Sequence, residues 1–319
     1  MNNFWQKLHK PIYALAPMAG VTNSAFRQIC KSFGADVVYS EMASATALVY
    51  NPKKTLEMLV SDKKETPYVI QLFGSKPEHF AQATKLLSDK KTNQKFKING
   101  YRVPDGIDIN FGCPVKKVAK QGAGAILMNN FKLAREIIDV VVNNTNLPVS
   151  IKVRTQIGQI TVLDFLKYLA DIDIKAIMIH GRTLNSRHSG PVDYEIIRRS
   201  REFFKGIILA NGGVKNYQNS QEMLKLTKAD GVGIGQGALG QPWIFEQSQT
   251  VNYKLKNREE IFKIILKHAK IVDKLKSEKG IIEMRKHLCW YVSGFKNAGI
   301  LRQKLIKAES LKDIKKILK

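Results

Sequence analysis

Gly106-Ile107-Asp108-Ile109-Asn110-Phe111-Gly112-Cys113-Pro114 is an apolar run that breaks off into polar and turn-forming residues. Gly106–Asn110 reads as a short buried strand, and the residues after it as the loop leaving its C-terminal end. Working outward, seven more runs share this form: Tyr13–Ala16, Val37–Ser40, Tyr68–Leu72, Val149–Val153, Ala176–His180, Gly206–Ala210 and Gly231–Ile234. Between them lie stretches with helical spacing, at Asn23–Phe33, Pro77–Leu87, Lys132–Asn143, Val162–Ala170, Tyr194–Phe203 and Gln218–Leu226. Strands alternating with helices argue for parallel βα units. Eight such units match an α/β fold of the closed (β/α)8 TIM barrel type in number and length. An open doubly wound sheet is the alternative, weakened because no GxGxxG follows the first strand.

Helix starts support the reading. Asn23 and Asn216 are placed as N-caps, and Ser75 with Pro77 and Glu78 offers a cap, an early proline and an acidic first turn. Ser88 to Asp105 is long, polar and lysine-rich, and reads as a helix end followed by a loop or small hairpin. From about Val251 the pattern changes. Glu259–Leu275, Ile281–Phe295 and Leu311–Leu318 keep helical periodicity without strand punctuation. We therefore expect a barrel over residues 1–248 and a small C-terminal α-helical domain over 249–319.

Hydrophobic residues make up 44% of the 319 residues and charged residues 25%, enough for a sizeable core and against global disorder. No apolar run approaches a membrane span, and the polar, basic N-terminus lacks the apolar segment of a signal peptide, so a cytoplasmic protein with no membrane association is expected. Cys30, Cys113 and Cys289 form no CxxC pair, which argues against a disulfide framework or zinc site and suits a reducing compartment. No metal is expected, and a monomer is. Lys plus Arg is 52 against 27 acidic residues, a net charge of +25 that suits a polyanion such as nucleic acid. The bland explanation is coding bias, since 40 of the 52 are Lys. Against it, residues 250–319 alone carry 19 basic and 7 acidic residues, several-fold the charge density of the rest.

In a barrel of this kind the C-terminal strand ends line the active site. Here they carry Ala16-Pro17-Met18-Ala19-Gly20, Gln71, Asn110 to Pro114, Lys152 and Arg154, His180-Gly181-Arg182, Asn211-Gly212-Gly213 and Gly235-Gln236-Gly237. One strand-end Lys or His is more often structural, but the same phase recurs in seven units. Asn211-Gly212-Gly213 and Gly233-x-Gly235-x-Gly237 fall in the loops that commonly hold a phosphate, where glycine lets backbone N–H groups approach the oxygens. A phosphorylated cofactor is expected, with Lys152 countering negative charge on its ring and Gln71 bonding the ring edge.

At this point the motifs resemble those of the tRNA-dihydrouridine synthases. Ala16 to Thr22 with Phe26-Arg27, Ser40-Glu41-Met42, Gln71-Leu72-Phe73-Gly74, Asp108 to Pro114 with Val118 and Gly122 to Ala125, Lys152-Val153-Arg154, His180 to Thr183, Asn211 to Gly213 and Pro242 to Phe245 follow one another in order. Arg285-Lys286-His287 is similar to the family's C-terminal helical domain, and the bacterial B-type branch is the most similar. The resemblance implies an FMN enzyme that reduces the C5–C6 bond of particular tRNA uridines, with NADPH as electron donor. It implies hydride from reduced FMN to C6 and a proton from Cys113 to C5. A free cysteine, with pKa about 8.5, is mostly protonated at neutral pH and suits that task. It further implies that Pro17, Met18, Ala19, Gln71, Lys152, His180, Asn211, Gly212, Gly213, Gly235 and Gln236 bind the flavin. Asn110 and Arg154 would hold the uracil, with Lys152 sharing that task, Arg182 would contact the substrate, and Arg285, Lys286 and His287 the tRNA backbone.

Two positions depart from the family pattern: Gly213 where an acidic residue is usual, and Gln236 where Arg is usual. Loss of that Arg removes a charged phosphate partner and predicts a weaker hold on FMN. Two other readings remain at this stage. A flavin barrel acting on a free pyrimidine leaves the basic tail unexplained. A non-catalytic tRNA-binding protein leaves Asn110, Cys113, Lys152 and His180 unexplained.

Overall fold

The computed structural model describes all residues except 1–2, 187–188, 248, 251–252 and 254–255, together with the Gln247 side chain. Among the described residues, eight parallel strands close into a barrel: β1 (Ile12–Leu15), β2 (Val37–Ser44), β3 (Tyr68–Phe73), β4 (Gly106–Phe111), β5 (Val149–Arg154), β6 (Ala176–His180), β7 (Ile207–Asn211) and β8 (Gly231–Ile234). Every expected strand is present, within a few residues at each end. β8 pairs with β1 to complete the ring. A two-residue hairpin, Gln156–Ile157 with Ile160–Thr161, extends β5 at its C-terminal end.

Nearly every strand residue is buried, because helices cover the outside and side chains fill the inside. The two faces still differ. Alternate residues such as Ile12, Ala14, Val37, Val69, Ala176, Met178 and Leu209 form the barrel's interior core. Their strand neighbours, among them Leu15, Ile107, Ile151 and Ile179, pack outward against the helices. Near the C-terminal end the inward positions turn polar. Register then sets neighbours side by side: Gln71 opposite Asp108, Asn110 opposite Lys152, Arg154 opposite His180, and His180 opposite Asn211. Gly233, expected in a phosphate loop, is instead inside β8, where a Cβ would come within 2.7 Å of the Met178 sulfur.

The helices start as their capping residues require. Asn23 caps α1 (Ser24–Lys31) through a 3.0 Å bond from Phe26 N–H to its side chain. The helix Pro77–Ser88 begins at Pro77, but Lys76 holds the cap position and Ser75 donates instead to the Gln121 carbonyl. Between Ser88 and Asp105 the structure forms one short helix, Thr92–Phe96, and no hairpin.

α1 also carries a fully buried ion pair. Arg27 Nε lies 2.5 Å from Glu65, and both side chains are 0% exposed. The remaining valences are satisfied: Arg27 donates to the carbonyls of Thr22 and Val60 and lies over the Tyr68 ring, while Glu65 accepts from Ser24 and from the Asp62 N–H. Thr22 belongs to the loop after β1, so the pair ties the barrel mouth to the segment before β3.

The C-terminal region is helical, as expected. A long helix α2 (Arg258–Tyr291) is broken at Ser277, whose φ of 49° and ψ of −141° lie outside helical space, so the two expected helices are its arms. α3 (Ala298–Leu305), which the sequence reading left unassigned, and α4 (Leu311–Ile317) follow. Their core is shared with the barrel: Ala25 and Ile29 of α1 and Trp243 pack with Ile265, Ala269, Met284 and Leu288 of α2. The expected boundary at 248/249 falls on Ser248, outside the described residues. No helix among those described is long and apolar enough to cross a membrane.

Candidate active site

The polar strand ends surround one cavity of about 550 Å³ at the C-terminal mouth. Ala16 to Ala19, Gln71, Asn110, Cys113, Lys152, Arg154, His180, Arg182, Asn211, Gly212, Gly213, Gly235 and Gln236 all line it. Fifteen of the eighteen candidate site residues therefore converge on one space. The three from the tail do not.

At the base of one wall runs a chain of hydrogen bonds. Asp108, 0% exposed, accepts from Ser150 Oγ at 2.6 Å and from Gln71 Nε2 at 2.7 Å. Gln71 Oε1 accepts from Asn110 Nδ2 at 2.8 Å. Asn110 Oδ1 accepts two backbone N–H groups, from Gly112 at 3.0 Å and Cys113 at 2.9 Å. Burial pushes the Asp108 carboxyl up to about 6, despite its two donors and nearby Lys152. The Cys113 loop is held from its other side too: Ala125 N–H donates to the Cys113 carbonyl, and Gly124 passes so close that a Cβ there would lie 3.0 Å from that oxygen. Cys113 is half-buried and lines the cavity.

Lys152 reaches across the floor to Asn211 Oδ1 at 3.2 Å, and Asn211 Nδ2 donates to the Gly233 carbonyl at 2.7 Å. Burial, with Arg154 beside it, pulls the Lys152 ammonium down to about 8. It therefore stays mostly charged at neutral pH. Arg154 donates from Nε to the Gly112 carbonyl and from Nη1 to the Thr183 carbonyl, both at 2.9 Å, so it clamps two mouth loops together as well as facing the cavity.

The far wall is backbone. Gly212 and Gly213 adopt φ of +114° and +82°, in the left-handed region that favours glycine. At Gly212 a Cβ would lie 2.9 Å from the His180 ring and 3.1 Å from the Arg182 guanidinium. Among the described residues, the N–H groups of Gly212, Gly213, Gly235 and Gln236 find no acceptor within the protein. Orphan donors beside glycines, with a cation over them, form a cradle for an anionic group such as a phosphate. The Gln236 side chain is exposed, and Arg182, expected on the substrate, is instead the guanidinium that lies over the cradle.

A family model for dihydrouridine synthases matches residues 14–319. The chain belongs to the dihydrouridine synthase family. A probable tRNA-dihydrouridine synthase from Rickettsia bellii is 34% identical over 90% of this chain and 87% of its own length. The tRNA-dihydrouridine synthase B of Pasteurella multocida is 32% identical over 91% and 86%. Among solved structures, an old yellow enzyme homologue from Zymomonas mobilis superposes with a TM-score of 0.50 at 11% identity, covering 75% of this chain and 90% of its own. Histamine dehydrogenase from a Rhizobium species gives 0.53 at 12% identity, over 80% and 48%. These two likenesses concern the barrel fold. As a dihydrouridine synthase the chain is an oxidoreductase, since making dihydrouridine adds two electrons and two protons across a pyrimidine double bond.

The tail residues are placed differently from one another. Lys286 is exposed, its Nζ 3.4 Å from where a Cβ on Gly20 would stand, at the rim of the mouth. Arg285 donates to the Ala308 carbonyl at 2.8 Å and pairs with Glu309, bracing the link between α3 and α4. His287 does not reach a ligand. It is 1% exposed and packs on Phe26, His268 and Trp290, so its expected place on the tRNA backbone is corrected to one in the barrel–helix interface. Three contributors were missed by sequence reasoning. Trp290, from the tail, lines the cavity, as does Met42, and Asp108 was quoted in the strand motif without a role. Asp-x-Asn at period two was the available signal for Asp108; nothing local foretold Trp290.

Proposed function

We propose that this dihydrouridine synthase binds FMN in the mouth cavity and acts on tRNA, with NADPH as the electron donor and Cys113 as the proton donor to C5 of the target uridine. The observation that carries the reading is convergence: Cys113 and the glycine cradle line one cavity of about 550 Å³. That volume lies within the usual range for cofactor sites, about 300–1,000 Å³. When bound and reduced, FMN supplies the hydride that goes to C6 of uracil. The residues divide the remaining work. Gly212, Gly213, Gly235 and Gln236 offer N–H groups to the phosphate, with Arg182 above them. Pro17, Met18 and Ala19 border the ring, and Gln71 presents its remaining amide hydrogen to the ring edge. Lys152 carries positive charge where negative charge develops on the pyrimidine. The Asn110 oxygen is occupied by the loop, and its second amide hydrogen points at the Met42 sulfur at 3.8 Å, a weak acceptor that the base would replace.

A base can enter this mouth only after leaving its stack, which costs less in a tRNA loop than in a duplex. The backbone would then pass over Lys286 at the rim. Further down the flank, α1 and α2 enclose a concavity lined by Lys31, Lys64, Lys263, Lys267 and Lys270 and by no carboxylate. None of these five forms an ion pair among the described residues. Such a surface suits phosphates. Position-mapped nucleoside mass spectrometry of tRNA from cells with and without this gene tests the reading. Loss of dihydrouridine at one or more positions supports it, and an unchanged dihydrouridine content refutes it.

A further inference from the structure

The hydrogen-bond chain beneath the cavity has a direction, and its direction has a source. Side-chain amides of Gln and Asn can turn end for end at little cost in shape, exchanging a donor for an acceptor. Gln71 and Asn110 sit in series, 1% and 7% exposed, so a flip in one forces a flip in the other. The Asp108 carboxylate offers only acceptors. It is held by Ser150 on one oxygen, and it obliges Gln71 to present its NH2 to the other. Gln71 must then turn its oxygen to Asn110, and Asn110 must turn its oxygen to the N–H groups of Gly112 and Cys113. With the amides reversed, Asn110 would aim an NH2 at two N–H groups and the loop would lose both bonds.

We propose that Asp108 is a positioning residue: from a buried place two steps away it sets the polarity of the Gln71–Asn110 relay and thereby the seating of the Cys113 loop over the cavity. It touches neither thiol nor substrate. The same relay fixes which end of Gln71 faces the cofactor side of the cavity, so one carboxylate orients both the ring-edge contact and the proton donor. The proposal rests on Cys113 being the proton donor.

The test compares Asp108→Leu with Asp108→Asn. Leucine keeps the approximate volume and removes the acceptor. Asparagine can still point its oxygen at Gln71 while its NH2 donates to the Ser150 hydroxyl, so it should restore the polarity. The first readout is the rate of Cys113 alkylation by iodoacetamide in flavin-free protein, followed on the Cys113 peptide by mass spectrometry. Losing the loop's bonds should raise it about tenfold in Asp108→Leu and leave Asp108→Asn within about twofold of wild type. The second is steady-state turnover on tRNA. For Asp108→Leu, kcat should fall about a hundredfold with KM for tRNA within about threefold, and Asp108→Asn should recover most of the loss. Wild-type alkylation and kcat in Asp108→Leu would overturn the proposal, and so would an Asp108→Asn as impaired as the leucine variant. If Asp108→Leu does not fold, Asp108→Ala is read in its place. Alkylation needs no flavin or tRNA, so a wild-type protein that fails to reduce uridine would sink the proposed function while the loop result still stood.

Discussion

Replacing Glu65 with glutamine should destabilise the protein by several kcal/mol without touching the cavity. Arg27 and Glu65 are both 0% exposed and 2.5 Å apart. Glutamine keeps the size and shape but removes the charge, while the guanidinium cannot lose its proton in response. An uncompensated buried charge typically costs about 3–5 kcal/mol. The glutamine NH2 also faces one of the donors Glu65 now accepts, Ser24, Arg27 or the Asp62 N–H, adding an unmade bond. At about 2.1 cal/mol/K per residue, 319 residues unfold with an entropy near 0.7 kcal/mol/K, so the loss corresponds to about 4–8 °C in Tm if unfolding is a single transition. Scanning calorimetry of Glu65→Gln beside wild type measures it. Arg27→Met combined with Glu65→Leu, which removes both charges, should recover at least half the loss. A Glu65→Gln Tm within 1 °C of wild type would refute the reasoning, since it would mean that the arginine finds water or another anion.

Acid should loosen the barrel–helix interface. Burial pulls His268 down to about 3, and burial with His268 and Lys286 nearby pulls His287 well below its ordinary value. Both are depressed in the folded state, so their contribution is full above about pH 6.5 and is lost as pH falls below that, for His268 down to about 3, by about 1.4 kcal/mol per pH unit for each group. Urea unfolding at pH 7 and pH 5 should show the drop, and equal stability at the two would contradict it. Lys263→Glu, Lys267→Glu and Lys270→Glu together should weaken tRNA binding at least tenfold and flatten its salt dependence, leaving flavin content unchanged; undiminished affinity would clear the flank of that role. Gln236→Arg should bind FMN more tightly by fluorescence titration, since it adds a charged phosphate partner beside the cradle. Unaltered affinity would show that Arg182 and the backbone already suffice.

The barrel was legible because βα alternation is a local signal repeated eight times, and most strand ends announced themselves by a change from an apolar residue to a polar one or glycine. The site was legible for the same reason, since the closed sheet brings strand ends together whatever the loops do. What escaped depended on three-dimensional packing. Gly233 looked like loop chemistry beside Gly235 and Gly237, but a glycine that makes room for Met178 and one that frees a backbone N–H read alike in sequence. His287 stood between Lys286 and Leu288 on a helix whose buried face is set by α1, and α1 lies some 260 positions earlier. The break at Ser277 falls in the gap between the two expected helices, Glu259–Leu275 and Ile281–Phe295, whereas the short α3 escaped because eight residues give too little periodicity to read.

The central claim is that the Cys113 thiol delivers its proton to a pyrimidine held over the reduced cofactor, and anaerobic rapid mixing tests it most directly. Protein loaded with FMN and reduced by NADPH is mixed with tRNA lacking dihydrouridine while flavin absorbance is followed. The wild type should be reoxidised as dihydrouridine forms. Cys113→Ala should be reduced by NADPH at the wild-type rate, yet fail to be reoxidised to product on the same timescale. Equal product formation by the two proteins would contradict the account.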